Sequence, residues 1–233
     1  MNANKIKRYD SYIFGFSYDL SDQHLKHLIK LFQTPSKTSN SILGGRRSVL
    51  FNEIDDIGSI AVKYYHRGGF VRHFIKKRYL KCGKTRCQIE YEILNKVRYL
   101  GINVPEPIVY AYRGIPFYKA WLVTRAVKQH QTLALLSLKD AEKAFSLMEK
   151  IVDNVSVLIQ NKILHVDLHP GNVLVDQYFR IFLIDFDKAH FSCLNKDKLL
   201  NKYINRWRRA IVKHELPEML WKIMHTELRK AVK

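Results

Sequence analysis

The stretch ILHVDLHPGNVLVD, residues 163–176, places a short polar loop between two apolar runs. The loop contains Asp167 and, five residues later, Asn172, and Asp185 follows thirteen residues after Asn172 in the run LIDFD. The flanking runs NVLVD and IFLIDF predict two short paired strands. Two carboxylates and one amide around a single hairpin form an oxygen-rich site. Hard cations such as Mg²⁺ prefer such sites, usually together with phosphate oxygens of a substrate.

The spacing of these three residues also matches a known arrangement. An aspartate, an asparagine five residues later and an Asp-Phe pair on the next strand are typical of the catalytic loop and the metal-binding aspartate of the protein-kinase-like fold. Asp167 is therefore predicted to accept a proton from an attacking hydroxyl. Asn172 and Asp185 are predicted to hold Mg²⁺ on ATP.

A kinase hypothesis also requires a glycine turn, a lysine on a strand and a glutamate on a helix, in that order. Gly44 and Gly45 in LGGRRS form a turn that could approach phosphates, although the full G-x-G-x-x-G pattern is absent. Lys63 lies in the apolar run SIAVKYY, as expected for a lysine that contacts the α- and β-phosphates of ATP. The following helical segment, CQIEYEIL, offers Glu90 and Glu92.

Helical periodicity distinguishes between these two glutamates. Ile89, Ile93, Val97 and Leu100 recur at helical spacing and predict an apolar face. At about 100° per residue, Glu90 lies about 45° from the centre of that face, and Glu92 lies more than about 110° away. Glu90 is therefore predicted to be the partner of Lys63.

The order of predicted elements indicates an α+β fold. Strands are predicted at residues 48–52 and 57–65 and again between residues 103 and 127, with one helix inserted, whereas helices dominate from residue 138 onwards. We expect a bilobal protein-kinase-like fold with a small β-rich N-lobe and a reduced helical C-lobe. The predicted parts are an N-terminal extension (1–40) packed on or near the N-lobe, a nucleotide-binding lobe (41–127) and a catalytic lobe (128–233).

The chain is strongly basic, with 40 Lys and Arg against 21 Asp and Glu and a formal net charge of +19. Residues 63–86 contain nine basic residues and no acidic one. Such a surface is expected to meet polyanions. No apolar run approaches the roughly 18–20 residues that span a bilayer, and three cysteines suit a reducing compartment. These features predict a cytoplasmic protein without a membrane span.

Five stretches of the sequence carry a resemblance to a known family: VKYYHRGGFVRHF, YLKCGKTRCQIEYEIL, GINVPEPIVY, HVDLHPGNVLVD and FLIDFDKA. Together they resemble the lipopolysaccharide kinase family, and within it the branch that phosphorylates 3-deoxy-D-manno-octulosonic acid (Kdo). The resemblance implies that Lys63 pairs with Glu90, that Asp167 is catalytic, and that Asn172 and Asp185 bind metal. It implies ATP-dependent phosphorylation of the 4-hydroxyl of Kdo on a lipid A precursor, by an enzyme attached peripherally to the cytoplasmic face of the inner membrane.

This substrate would be an anionic glycolipid in an anionic leaflet, and no nucleic-acid partner is expected. Five residues of the basic run are predicted to face the membrane or the lipid: Arg67, Arg72, Lys76, Lys77 and Arg78. The motifs leave a heptose kinase of the lipopolysaccharide core open as an alternative, and also a soluble antibiotic-type kinase. Asp187 stands where protein kinases carry glycine. Protein substrates are disfavoured because no A-P-E element, part of the segment that grips a peptide, follows Asp185.

Overall fold

The computed structural model describes residues 5–34, 39–40, 46–47, 49–65, 79–80, 83–115 and 117–232. The chain divides into two compact units. The first unit comprises Met1–Glu92 and Glu106–Ala126, and the second comprises Ile93–Pro105 and Val127–Lys233. Strands dominate the first unit and helices dominate the second, so the predicted α+β class is confirmed.

The first unit is built on an antiparallel sheet. Its elements are β1 (Lys5–Tyr9), β2 (Tyr12–Phe16), α1 (Asp22–Gln33), β3 (Ser39–Asn40), β4 (Arg46–Arg47), β5 (Val49–Ile54), β6 (Gly58–Tyr64), β7 (Tyr79–Leu80), α2 (Arg86–Tyr99), β8 (Pro107–Arg113) and β9 (Phe117–Arg125). The main strand order is β1-β2-β8-β9-β6-β5, and β7 pairs with β9. The predicted N-terminal extension, residues 1–40, contains β1, β2, α1 and β3. Its strand β2 pairs with β8.

Each face of this sheet packs against a helix. Ile60 and Val62 of β6 belong to the same buried cluster as the apolar side of α1, where the ring of Phe32 stacks 4.8 Å from that of Trp121. Side chains alternate along a strand, so Lys63 faces the other side of the sheet from Val62. That other side packs against α2, which continues from the first unit into the second.

The second unit contains two small antiparallel sheets among helices. Its elements are β10 (His130–Thr132), α3 (Leu133–Lys139), α4 (Ala141–Ser146), α5 (Met148–Gln160), β11 (Ile163–Leu164), β12 (Val173–Asp176), β13 (Ile181–Leu183), β14 (His190–Phe191), α6 (Lys196–Lys213) and α7 (Met219–Val232). The sheets have the orders β10-β12-β13 and β11-β14. The predicted hairpin of NVLVD and IFLIDF is present as β12 and β13.

The helical character expected from residue 138 onwards is present in residues 138–161, but as the end of α3 and the whole of α4 and α5 and not as one continuous helix. The physical reason lies at Asp140, which ends α3 and begins α4. Its backbone is not helical, and its side chain accepts a hydrogen bond from the backbone N–H of Lys143 at 2.9 Å. An aspartate in this position caps a new helix. The chain therefore starts a second helix at Asp140, although the apolar residues on either side still follow helical spacing.

Candidate active site

Lys63 of β6 and Glu90 of α2 form an ion pair within the first unit. The Lys63 Nζ atom lies 2.9 Å from each carboxylate oxygen of Glu90. The hydroxyl of Tyr65 donates a further hydrogen bond to Glu90 Oε2, and its ring centroid lies 5.3 Å from Lys63 Nζ. The Glu90 side chain is 3% exposed and the Lys63 side chain is 26% exposed. The buried carboxylate therefore restrains a lysine whose side chain is partly exposed.

The buried side of α2 explains why Glu90, and not Glu92, meets Lys63. Glu90 is buried between Cys87 and Leu94, and Glu92 instead pairs with Lys84 at the surface, 2.7 Å apart. The expected apolar face is wrong at Ile89, which is 38% exposed. The true buried face is rotated towards Glu90, because Tyr91 and Cys87 pack on β8 and take the place assigned to Ile89. Tyr65, the third member of this group, had no signal in the sequence beyond its position after Lys63.

The loop that carries Asp167 connects β11 to β12 in the second unit. A single 3₁₀ turn, Pro170–Asn172, ends the loop, and His169 begins that turn by accepting the Gly171 N–H at its Nδ1 atom. The buried Asn172 side chain donates from Nδ2 to the Asp167 carbonyl at 2.8 Å, which closes the loop on itself. The amide oxygen is then the atom with which Asn172 can bind a cation.

Asp185 lies two residues after the end of β13, the strand that pairs with β12. The N–H of Ile184, the residue before Asp185, donates to the Asn172 carbonyl at 3.0 Å. This hydrogen bond holds the backbone next to Asp185 against that of the metal-binding candidate Asn172. Asp185 has a positive φ of 68°, a left-handed conformation that is uncommon outside glycine. Such conformations concentrate at functional sites. Asn172 and Asp185 thus provide one amide and one carboxylate oxygen donor, a set that suits Mg²⁺ bound jointly with phosphate.

The buried His165 links the start of the loop to residues 184–186. Its Nε2 atom lies 3.0 Å from the Ile184 carbonyl, so Nε2 carries the proton, and its ring packs on Phe186 at 4.4 Å between centroids. Burial lowers the pKa of His165 below its ordinary value, which keeps the ring neutral. The backbone N–H of His165 donates to the Tyr203 hydroxyl at 2.8 Å, and that hydroxyl donates to the Ile163 carbonyl at 2.8 Å.

The Asp167 carboxylate contacts a residue that the sequence analysis did not assign to the site. Arg206 of α6 approaches Asp167 Oδ1 with Nε at 2.8 Å and with Nη2 at 2.6 Å. The sequence places Arg206 next to Trp207 and three residues after Tyr203, both of which are buried. Its position in the sequence predicts that Arg206 lies at the edge of the buried face of α6. It does not indicate which other segment of the chain the arginine contacts.

Seven predicted residues lie outside the described residues: Gly44, Gly45, Arg67, Arg72, Lys76, Lys77 and Arg78. Their assignments stay predictions. Of the remaining ones, Lys63 and Glu90 are brought together in the first unit, and Asp167, Asn172 and Asp185 lie on one loop and hairpin of the second. Within the described ranges, no helix is long and apolar enough to cross a membrane.

Comparisons with known proteins agree on one family. The model of the "Lipopolysaccharide kinase (Kdo/WaaP) family" matches residues 33–227. Three similar proteins each carry the name 3-deoxy-D-manno-octulosonic acid kinase. The chain is 31% identical to that of Vibrio vulnificus (strain YJ016) over 160 residues, which cover 66% of this chain and 67% of the relative. It is 28% identical to that of Mannheimia succiniciproducens over 194 residues, 78% and 80% of the two chains, and 25% identical to that of Vibrio parahaemolyticus over 190 residues, 79% of each.

Proposed function

Because the chain belongs to the lipopolysaccharide kinase (Kdo/WaaP) family, we propose that it transfers the γ-phosphate of ATP to the 4-hydroxyl of Kdo on a Kdo–lipid A precursor. The observation that carries the proposal is the loop in which Asn172 closes on Asp167 beside Asp185. In this proposal the part 41–127 binds the nucleotide and the part 128–233 performs the chemistry, in line with the predicted nucleotide-binding and catalytic lobes.

Each site residue has a defined task in this reaction. Lys63, restrained by Glu90, would contact the α- and β-phosphates, with Gly44 and Gly45 approaching the phosphate tail. Asn172 and Asp185 would hold Mg²⁺, which when bound neutralises the phosphate charge. The acceptor oxygen forms a bond to the γ-phosphorus while the bond to the β,γ-bridging oxygen breaks and ADP leaves. The acceptor proton passes to the carboxylate of Asp167.

The proposed substrate is anionic and lies in an anionic leaflet, and the net charge of +19 supports attachment to the cytoplasmic face of the inner membrane. Arg67, Arg72, Lys76, Lys77 and Arg78 remain the proposed contacts. Liposome sedimentation tests this attachment. Binding should rise with anionic lipid content and fall with salt, and binding that ignores both would contradict the proposal.

The deciding experiment measures phosphate transfer from labelled ATP with Mg²⁺ to three acceptors. These are a lipid A precursor carrying Kdo alone, the same precursor carrying Kdo and heptose, and a soluble aminoglycoside. We expect labelling of the Kdo-only precursor, and near-complete loss of labelling with Asp167→Ala. Labelling only when heptose is present would indicate a heptose kinase. Labelling only of the aminoglycoside would indicate a soluble small-molecule kinase.

A further inference from the structure

We infer that Arg206 is a positioning residue for this transfer: it holds one carboxylate oxygen of Asp167 so that the other oxygen faces the acceptor hydroxyl. The inference rests on the proposed function, since it assigns how Asp167 is oriented for that reaction. It adds a residue from α6, far along the chain from the loop, to the machinery that the motifs define.

Two nitrogens of Arg206 contact the same carboxylate oxygen of Asp167. Both Nε and Nη2 of Arg206 point at Asp167 Oδ1, at 2.8 Å and 2.6 Å. In the part of the chain that the structure describes, Asp167 Oδ2 has no hydrogen-bond donor. Guanidinium groups are planar and rigid, so two contacts to one oxygen restrict rotation of the carboxylate about its terminal bond. The second oxygen is thereby left to receive a proton in a defined direction.

The exposures of the two side chains agree with this division of roles. Asp167 is 44% exposed at its side chain, so substrate can reach the carboxylate. Arg206 is 22% exposed, and the adjacent Trp207 is fully buried. An exposed aspartate without a partner would sample several rotamers, and each would place the proton acceptor differently. A partly buried arginine on a long helix removes that freedom.

A second tie between α6 and the loop separates positioning from simple docking. Tyr203, one turn before Arg206, joins α6 to Ile163 and His165 through hydrogen bonds of its hydroxyl, whereas Arg206 bonds the Asp167 side chain. Tyr203→Phe therefore weakens the docking of α6 and leaves the arginine contact in place. Arg206→Ala removes the contact and leaves the tyrosine tie in place. The pair provides a matched control.

The test compares kcat and KM of wild type, Arg206→Ala, Arg206→Lys and Tyr203→Phe for labelled transfer to the Kdo-only lipid A precursor. Misplacement of a reacting group by about 1 Å can cost about 10²-fold in rate, so we expect a kcat loss of that order in Arg206→Ala with an unchanged KM for ATP. Arg206→Lys should be intermediate, because it keeps the charge and loses the two-nitrogen contact. Tyr203→Phe should keep most of kcat while its melting temperature falls.

Chemical rescue provides a readout that a purely structural role would not move. Guanidinium chloride at low, non-denaturing concentration should restore part of kcat in Arg206→Ala and none in Tyr203→Phe. Wild-type kcat in Arg206→Ala, an equal kcat loss in Tyr203→Phe, or failed rescue would each overturn the inference. If Arg206→Ala does not fold, wild-type kcat in a folded Arg206→Lys or Arg206→Gln would overturn it too. An inactive wild type would instead refute the proposed function, and the inference with it.

Discussion

Among the residues that the structure describes, Lys63–Glu90 in the first unit and Asp167–Arg206 in the second are ion pairs of candidate catalytic residues, and the two pairs have opposite burial. In the first unit the carboxylate of Glu90 is buried, at 3% exposure, and the cation of Lys63 is the more exposed partner, at 26%. In the second unit the guanidinium of Arg206 is the less exposed partner, at 22%, and the carboxylate of Asp167 is exposed at 44%. Each pair thus presents to solvent the group that the proposed reaction uses.

In both pairs the less exposed partner sets the position of the other. A buried charge pays a desolvation cost and is tolerated where its partners are well placed, so its geometry is tightly determined. A third pair limits this rule. Asp176 is 3% exposed and Arg180 is 61% exposed, yet this pair closes the β12–β13 turn. Asymmetric burial therefore identifies a restrained group, and the surrounding motif decides whether that group takes part in chemistry.

Removing the charge that the second unit presents should have the largest effect. Asp167→Asn keeps the shape of the side chain and an oxygen for Arg206, but it removes the proton acceptor. We expect kcat for phosphate transfer to fall about 10²–10⁴-fold, since this is the usual contribution of general acid–base catalysis. Binding of a non-hydrolysable ATP analogue should be retained. A variant with wild-type kcat would show that the exposed carboxylate is not the acting group.

Breaking the pair of the first unit should have the next largest effect. Glu90→Gln removes the charge that restrains Lys63, and we expect weaker binding of the ATP analogue and a loss of about 1.5–3 kcal/mol in the free energy of unfolding, the range for hydrogen bonds to charged groups. Glu92→Gln is the matched control, because its surface pair with Lys84 should contribute less than about 1 kcal/mol. Equal effects of the two variants would contradict the assignment of Glu90.

The Asp176–Arg180 pair of the β12–β13 turn should contribute to stability and not to catalysis. Asp176 accepts hydrogen bonds from the backbone N–H groups of Tyr178 and Arg180, each at 2.9 Å, and from Arg180 Nε at 2.7 Å. Asp176→Ala should lower the free energy of unfolding by about 1–3 kcal/mol, because it leaves these donors without their acceptor. Arg180→Ala should leave kcat unchanged. A large kcat loss in folded Arg180→Ala would extend the catalytic role to this pair.

The smallest expected effect is the pH dependence of stability that arises from His165, the buried histidine two residues before Asp167. Burial lowers the pKa of His165 from its ordinary 6.5, so below about pH 6.5 the unfolded chain binds a proton that the folded protein excludes. Stability should then fall as the pH falls towards the lowered pKa, by at most about 1.4 kcal/mol per pH unit. Denaturant titrations across this range measure the slope.

His165→Gln, which does not titrate, serves as the control for that slope. The variant should show a shallower fall in stability than wild type over the same pH range. The difference in slope is the informative quantity, because burial also lowers the pKa of His214 and contributes in both proteins. Identical slopes would show that His165 is not the titrating group.

Local patterns in the sequence were sufficient for the fold class, the hairpin and the identities of Asp167, Asn172 and Asp185 as candidates. These residues lie on one loop and one hairpin, so their spacing along the chain already determines much of their geometry. Lys63 could be identified because it lies in a short apolar strand run, SIAVKYY, which is also a local pattern. The metal and nucleotide roles of these residues stay predictions.

Contacts between distant segments were decided by the tertiary structure alone. The rotation of α2 that buries Glu90 and exposes Ile89 depends on aromatic packing against β8, and the ion pair of Arg206 joins residues 39 positions apart. Periodicity reports that a helix has a buried side, but side-chain packing sets which residue faces which neighbour. Residue types and their spacing in the sequence indicate which groups are candidates for the chemistry, whereas packing sets which partners hold them, because a carboxylate's direction depends on atoms contributed from elsewhere in the chain.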